Sequence, residues 1–313
     1  MAELKITLDI MLPVFIMLAL GWLLRRTGLL CGDVPGKLNK LIFKLFLPVM
    51  LFENARSMES LATDDLSMTI FIFFGLLIIW LCAMLLVPRV EKDPRKRGVL
   101  VQGIMRANFV IFGLPVLVSL CGDNSNTGAV SLVIAVVVPM FNAFSVIALE
   151  TNRGGKVNVG KVLKSVVTNP LIISSLLGIV LLVMGVKLPD TLDKTLSDLA
   201  KTSTPLALVI LGAEFNFKSV KNCLRPLIIG VTGRLVIVPA IFITIAALLG
   251  FRGEELISLM IMLAAPPAVS SFTMAQQMDG DAELAGNMVV FGSLFAVLTI
   301  FLWIFILKTL MLI

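Results

Sequence analysis

The sequence predicts an all-α, polytopic membrane protein with ten transmembrane helices in two inverted five-helix repeats. Three observations lead to this fold class. The 313-residue chain is 58% hydrophobic and only 15% charged, with a mean hydropathy of +1.03, whereas soluble domains are about 25% charged. Ten apolar runs are long enough to cross a bilayer, since a spanning helix needs about 20 mostly apolar residues. The two halves of the chain also share proline, glycine and aspartate positions.

The apolar runs place the ten spans at about 7–24, 37–55, 67–88, 98–121, 127–149, 161–185, 195–215, 224–250, 255–277 and 284–311. The first run is predicted to be a membrane helix and not a cleavable signal peptide. It is too long for the apolar region of a signal, and Arg25-Arg26 follow it.

Basic residues cluster in every second loop between the spans, which is the positive-inside pattern of membrane proteins. The four basic loops hold Arg25 and Arg26, Arg89 to Arg97, Arg153 to Lys164, and Lys218 to Arg225. Ten spans then place both termini on the extracellular or periplasmic side of the inner or plasma membrane. The acidic loop around Asp279 is an exception, because it falls on the cytoplasmic side, but acidic residues have little influence on topology. The net charge of +6 therefore reflects topology and not nucleic-acid binding.

Several residues recur at an almost constant spacing in the two halves of the chain. Pro13, Gly21, Gly28, Asp33 and Pro48 recur 157 residues later as Pro170, Gly178, Gly185, Asp190 and Pro205, and Gly122-Asp123 recurs after 158 residues as Gly280-Asp281. We therefore divide the chain into repeats over residues 1–155 and 156–313. Each repeat holds an odd number of spans, so the second repeat is upside down in the membrane, as in alternating-access carriers.

Spans 4 and 9 are apolar enough to cross the membrane, yet each contains residues that interrupt a helix. Gly113-Leu114-Pro115 breaks span 4 and Pro266-Pro267 breaks span 9, because proline removes a backbone donor and clashes with the preceding turn. Free backbone groups at that depth are tolerated only where protein or a watery cavity surrounds them. Two interrupted spans in corresponding positions of two halves indicate the binding site of a transporter.

Polar side chains beside these breaks are the candidate substrate ligands, together with the glycine and the prolines of the breaks themselves. Asn108 precedes the first break, and its carboxamide can donate to a carboxylate or cap a half-helix; the N-termini of half-helices also bind anions. Ser270, Ser271, Thr273 and Gln276 follow the second break. Each has a structural alternative, since an amide can repair a broken backbone and hydroxyl groups pack membrane helices together.

Two arginines lie inside apolar runs. Arg234 is the clearest intramembrane charge, about ten residues into span 8, and a charge there is costly unless it faces a cavity or a partner. We predict that it attracts a substrate carboxylate or acts as a counter-ion. A structural ion pair and a snorkelling side chain are the alternatives. Arg106 lies closer to the basic face, where topology alone also explains it.

The ionisable residues limit the chemistry that is expected. The chain has no histidine, and its four cysteines lie in separate segments, so no metal site, disulfide framework, cofactor or enzymatic reaction is expected. No carboxylate is placed as a clear mid-membrane proton carrier. Arg106, Asn142 and Asn287 are possible ion or support sites, and Na+ could also use freed backbone carbonyls. Coupling to H+ and a gradient-independent uniporter stay open.

Four features are shared with a known family. They are the ten-span plan and the segments Asn108-Phe-Val-Ile-Phe-Gly-Leu-Pro115, Ala265-Pro-Pro-Ala-Val-Ser-Ser-Phe272 and Gly280-Asp-Ala-Glu-Leu-Ala285. Together they resemble the auxin efflux carrier family, and more narrowly its short prokaryotic malonate- or malate-transporter-like members. The resemblance implies a fold similar to the bile acid/sodium symporters, in which the broken spans 4 and 9 cross. It also implies a scaffold domain of spans 1, 2, 6 and 7 (about 7–55 and 161–215) and a moving transport domain of spans 3–5 and 8–10 (about 67–149 and 224–311).

The sequence therefore predicts a carrier for a small organic anion that moves by an elevator-like or rocking motion. The resemblance implies malonate, malate or an auxin-like aromatic acid; the small acids are favoured because Phe109, Phe112 and Phe272 are the only aromatics near the polar candidates. A sodium-coupled symporter of another organic anion is an alternative. A membrane-embedded enzyme would need paired carboxylates within the membrane, and a channel would need continuous polar stripes along its helices. The sequence contains neither. The resemblance also makes a homodimer through the scaffold plausible.

Overall fold

A computed structural model describes residues 2–56, 66–109, 127–153 and 159–313 of the chain. Within these ranges the backbone is helical apart from short connections, and it contains no β-strand beyond a single isolated bridge between Ala107 and Pro267. The prediction of an all-helical protein is confirmed.

The described residues form a succession of α-helices, several of them short. In chain order they are α1 (Ala2–Arg26), α2 (Val34–Leu41), α3 (Leu47–Arg56), α4 (Leu66–Val90), α5 (Pro94–Met105), α6 (Thr127–Thr151), α7 (Val159–Val167), α8 (Pro170–Val183), α9 (Asp190–Glu214), α10 (Phe217–Asn222), α11 (Leu224–Thr232), α12 (Val238–Leu248), α13 (Gly253–Ala264), α14 (Ser270–Gln277) and α15 (Ala282–Thr309). Two π-helical turns, Ile42–Phe46 and Gly233–Ile237, join α2 to α3 and α11 to α12 without a gap.

Three continuous helices in the described part of the chain are long and apolar enough to cross a membrane. They cover Leu66–Val90, Leu224–Leu248 and Ala282–Thr309, and large side chains such as Leu85 and Leu298 point outward from them. The chain is therefore a multi-pass membrane protein. Other helices lie where spans were predicted but contain charges or breaks, as α9 does with Asp198 and Lys201. The count of ten spans stays a prediction.

Predicted span 6 is not one straight helix. It consists of α7 and α8, which are bent by 51° relative to each other. The Oδ1 atom of Asn169 accepts a hydrogen bond of 2.9 Å from the backbone N–H of Leu171, and Pro170 follows as the first helical residue. An asparagine cap with proline behind it is a strong helix start. A new helix therefore begins inside the apolar run.

Two glycines allow helices to pack with their backbones in contact. A Cβ atom on Gly21 would lie 1.9 Å from the carbonyl oxygen of Val209, where α1 meets α9. A Cβ atom on Gly178 would lie 2.5 Å from the carbonyl oxygen of Phe52, where α8 meets α3. Small residues at helix contacts are typical of membrane proteins, where close packing replaces the hydrophobic effect as the driving force.

We expect Gly21→Ala to destabilise the protein, because the added methyl group overlaps a backbone atom that cannot rotate away. Overpacking of this kind costs about 1–3 kcal/mol. The measurement is the apparent melting temperature of the purified protein in detergent. Gly36→Ala is the matched control, since nothing lies within 4 Å of its added Cβ atom. A Gly21→Ala variant as stable as the control would mean that α1 and α9 are not held this closely.

The acidic loop around Asp279, which does not fit the positive-inside pattern, contacts arginines of two basic segments. Arg153 forms an ion pair with Asp279, which raises the pKa of Arg153, and the Nε atom of Arg95 donates to the carbonyl oxygen of Asp279 at 2.9 Å. The loops after α4, α6 and α14 therefore lie on one side of the molecule. Two of them are basic loops, so neighbouring arginines balance the acidic charge.

Candidate functional site

The interruptions of two helices meet at the centre of the molecule. Helix α5 ends at Met105, and Arg106 is extended with φ −85° and ψ 120°. Helix α13 ends at Ala264, and α14 begins at Ser270. Ala107 pairs with Pro267 in an antiparallel bridge, and the N–H of Asn108 donates to the carbonyl oxygen of Pro266 at 2.8 Å. We call this contact the crossing.

The second interruption lies where the sequence predicted it, at Pro266-Pro267, while the first lies at Arg106–Asn108. The predicted break at Gly113-Leu114-Pro115 lies outside the described residues. Asn108 therefore lies within an interruption that the sequence did not predict, and its place before the break at 113–115 stays a prediction. Its backbone N–H is hydrogen-bonded to Pro266 across the crossing, and its side-chain Nδ2 is buried without a partner in the described part of the molecule.

Arg234 holds the ends of both interrupted helices. Its side chain is fully buried, and its Nε and Nη2 atoms donate to the carbonyl oxygens of Ala265 and Met262 at 2.8 and 2.7 Å. Its Nη1 atom donates to those of Ile104 and Met105 at 3.3 and 3.1 Å. All three nitrogens of the guanidinium group therefore bind helix ends, and we call this set of contacts the Arg234 bridge.

The Arg234 bridge replaces hydrogen bonds that the interruptions remove. In a continuous helix the carbonyls of Ile104 and Met105 would accept from the N–H groups of Asn108 and residue 109, and the carbonyl of Met262 from residue 266, which is a proline without an N–H. Each helix C-terminus also carries about half a negative charge. One arginine thus balances the two converging ends. Its contacts are with backbone carbonyls, as in a support residue, and the substrate contact expected from the sequence stays a prediction.

Arg106 is also buried, and in the described part of the chain it has no set of partners comparable to that of Arg234. Its side chain is 5% exposed, and its Nη1 atom contacts the sulfur of Met274 at 2.6 Å. A thioether is only a weak acceptor. Among the described residues no carboxylate lies within salt-bridge distance of it. Within the described ranges, Arg106 therefore has the Met274 sulfur and no carboxylate as its side-chain partner.

Arg106 and Asn108 line a cavity of about 690 Å³, which we call the Arg106 cavity. Its walls are mainly apolar, with Val14, Leu47 and Phe141 among them. Its polar lining residues are Glu53, Asn54, Arg106, Asn108, Ser197, Lys201, Thr204 and Ser270. Glu53 is paired with Arg56 at 2.9 Å, and Lys201 is exposed. Arg106 is therefore the buried cation of this cavity.

A second cavity of about 330 Å³, the Glu214 cavity, lies at the other end of the same helices. It is lined by Arg25, Glu214, Gln276, Glu283 and Asn287, among others. Ser197 of α9 lines the first cavity and Glu214 of α9 the second, a separation of about 25 Å along the helix. The two cavities therefore approach the crossing from opposite ends of α9.

The polar residues after the second interruption are divided between different surroundings. Ser270 lines the Arg106 cavity and Gln276 lines the Glu214 cavity. The hydroxyl groups of Ser271 and Thr273 are buried and have no hydrogen-bond partner among the described residues. The predicted cluster thus contributes one lining residue to each cavity and two buried hydroxyl groups that line neither.

The predicted ion or support residues Asn142 and Asn287 have different hydrogen-bond partners in the structure. Asn142 donates to the carbonyl oxygen of Val138 at 3.0 Å, within its own helix. Asn287 donates to Ser219 Oγ at 3.3 Å and to Cys223 Sγ at 3.1 Å, and it borders the Glu214 cavity. Nothing in these contacts brings the two asparagines together as one ion site.

Sequence reasoning missed the polar chain that crosses between α2, α14 and α9. The Nε2 atom of Gln276 donates to Glu214 Oε2 at 2.7 Å, and the Nδ2 atom of Asn39 donates to Gln276 Oε1. Asn39 is fully buried. In the sequence, this chain was indicated only by a carboxylate, Glu214, at the end of a predicted span. Its partner Gln276 is 62 residues away in sequence, and Asn39 belongs to the other half of the chain.

Comparison with known proteins adds to these observations. A family model described as a membrane transport protein matches residues 6–304. An uncharacterized transporter of Methanocaldococcus jannaschii is 26% identical over 309 residues, covering 95% of this chain and 98% of the relative. An uncharacterized transporter of Methanothermobacter thermautotrophicus is 23% identical, covering 94% of this chain and 96% of the relative. The uncharacterized transporter YfdV of Escherichia coli is 24% identical, with coverage of 95% and 96%.

Proposed function

The chain belongs to this family of membrane transport proteins, the auxin efflux carriers, and on that premise we propose that it is a secondary carrier of an organic anion. The observation that carries the proposal is the buried Arg106 guanidinium, which borders a cavity and has no carboxylate partner in the described part of the chain. A buried cation without a partner is costly. A carboxylate ligand beside Arg106 and Asn108 removes that cost.

Alternating access would occur about the crossing. The Arg106 cavity and the Glu214 cavity lie at opposite ends of α9, with the crossing between them. A movement of the crossing relative to α1, α3 and α9 would expose the ligand to one cavity and then to the other. The scaffold would comprise spans 1, 2, 6 and 7, and the transport domain spans 3–5 and 8–10. In the membrane, the basic loops would face the cytoplasm and both termini the outside.

Two sets of contacts support an inverted repeat. The crossing pairs Asn108 with Pro266, which are counterparts at the repeat spacing of 158 residues, as a two-fold axis through their contact requires. The contact between Gly21 and Val209 likewise has a counterpart. Gly178 lies 157 residues after Gly21 and Phe52 lies 157 residues before Val209, and these two residues also contact each other. Inverted repeats of this kind are built into many carriers.

The cavity favours an anion with one carboxylate and an apolar body. Its volume of about 690 Å³ lies within the range of about 300–1,000 Å³ for small-molecule sites. Arg106 binds one carboxylate, and most of the other lining, which includes Leu47 and Phe141, is apolar. Lys201 is the other cation among the described lining residues, and it is exposed. A second carboxylate of malonate or malate held against the apolar lining would carry an unpaired charge there, which is costly. The aromatic acid named as an alternative therefore fits better than the small diacids.

The test is counterflow into proteoliposomes that are preloaded with an unlabelled acid. We expect exchange of monocarboxylates, with KM falling about fourfold for each CH2 group added to the chain, because each buried CH2 contributes about 0.8 kcal/mol. Malonate and malate serve as the matched dicarboxylates and indole acetate as the aromatic acid. A lower KM for malonate than for the monocarboxylates would reverse the substrate class. Failure of every acid to exchange would overturn the function.

A further inference from the structure

We propose that Glu214, together with Gln276 and Asn39, is a proton-binding site that links transport to pH. The proposal rests on the carrier function above and adds the coupling ion to it. It starts from the polar chain, in which Asn39 donates to Gln276 and Gln276 donates to Glu214.

The direction of the hydrogen bonds in this chain is set by one charge. The ionised carboxylate of Glu214 has only acceptor atoms, so the amide nitrogen of Gln276 faces it. The amide oxygen of Gln276 then faces Asn39 and accepts from its amide nitrogen. The Oδ1 atom of Asn39 is buried and has no partner among the described residues. Nothing else described in the molecule therefore fixes which way these two amides point.

Protonation of Glu214 allows the chain to reverse without losing a hydrogen bond. One proton from the water of the Glu214 cavity binds to the carboxylate, which becomes a neutral acid and a donor. It then donates to the amide oxygen of Gln276, and the amide nitrogen of Gln276 donates to the Oδ1 atom of Asn39. Two hydrogen bonds exist before and after the reversal. No other group changes its charge.

The same reversal weakens the tie between the crossing and the helices around it. Gln276 belongs to α14, the helix that begins at the crossing, whereas Glu214 and Asn39 belong to α9 and α2. Hydrogen bonds to a charged group are roughly twice as strong as neutral ones. Protonation from the Glu214 cavity therefore loosens α14 from α9, which is the motion that the proposed carrier needs.

Other charged groups surround the site and must be weighed with it. On the part of each element that lies towards the Glu214 cavity, these groups are Arg25 and Arg26 on α1, Asp33 before α2, Lys37 and Lys40 on α2, Lys44 in the first π-turn, and Glu283 on α15. Helix α14 carries no ionisable side chain. Arg25 donates to the carbonyl oxygen of Ala213 at 2.7 Å and so lies next to Glu214 without closing the chain. Glu283 lines the same cavity and provides a matched control carboxylate.

The first measurement needs no substrate. Infrared spectra of the purified full-length protein, recorded against pH, should contain a protonated-carboxyl component that remains when the spectra of Glu214→Gln, which keep the bands of all other carboxyl groups, are subtracted. Asn39→Asp places an acceptor-only group at the far end of the chain, so the nitrogen of Gln276 turns away from Glu214. The midpoint of the band should then move to higher pH by about one to two units. Glu283→Gln should leave the midpoint unchanged.

The second measurement separates exchange from coupling in proteoliposomes. In the parent protein a pH gradient should drive net movement of the labelled acid by about tenfold per pH unit, whereas Glu214→Gln should keep exchange and lose this response. An acid that exchanges with no response to pH in the parent protein, or a parent-minus-Glu214→Gln difference that contains no carboxyl band, would overturn the proton site and leave the carrier function standing. A band that titrates as expected while no acid exchanges would support the proton site and reject the carrier function.

Discussion

Replacement of Arg234 by glutamine is expected to cost about 3–5 kcal/mol of stability, because it leaves buried helix ends without donors. The four carbonyl oxygens of Ile104, Met105, Met262 and Ala265 all accept from this one side chain. Glutamine offers one amide nitrogen and no charge to balance two helix C-termini. The apparent melting temperature in detergent should fall by about 10 °C, and transport should be lost with it.

Arg234→Lys distinguishes a bridge from a substrate ligand. Lysine keeps the charge but lacks the planar fork that reaches both helix ends at once, so it should recover only part of the stability. Arg252→Gln is the matched control, because Arg252 also donates to backbone carbonyls, those of Ala247 and Phe251, but at an exposed site. If Arg234→Gln were as stable as this control and only KM rose, Arg234 would be a ligand for the anion and not a bridge.

The helices could be predicted because their causes are local. Long apolar runs and the prolines at 266 and 267 act on their own segment of the chain, and the structure places helices and the second interruption at those positions. The bend at Asn169 was also readable, as an asparagine followed by proline. The segment was predicted as one continuous span because it is apolar on both sides of this bend.

The first interruption and the roles of the arginines could not be predicted, because their causes are distant in sequence. Helix α5 ends at Met105 although its one proline, Pro94, is at its start. Its last carbonyls bind Arg234, and the N–H of Asn108 binds the carbonyl of Pro266. A charge in an apolar run indicated that Arg234 was special. It gave no sign that backbone carbonyls, and not a carboxylate, were the partners. Arg106, which topology seemed to explain, is the arginine left facing a cavity.

Replacement of Arg106 by methionine should have the opposite effect on stability and a similar effect on transport. Methionine fills a similar volume without a charge, and replacing buried charges by apolar side chains often stabilises a protein by about 1–4 kcal/mol. We therefore expect the apparent melting temperature to stay the same or rise. Loss of the buried partner of a carboxylate costs about 2–5 kcal/mol of binding, so anion exchange should fall by about thirtyfold or more.

The comparison of the two arginines separates binding from folding. An acid at a hundred times its Kd should stabilise the parent protein by about 2.7 kcal/mol, and the same acid should leave Arg106→Met unchanged, since that variant folds but no longer binds. Arg89→Met removes an exposed arginine at the end of α4 and should keep both exchange and stabilisation by the acid.

If Arg106→Met were still stabilised by the acid, the anion would bind elsewhere, because a folded variant without its buried cation would have kept its ligand. If it were less stable than the parent protein without ligand, Arg106 would be a structural residue like Arg234, and its charge would already be balanced inside the protein.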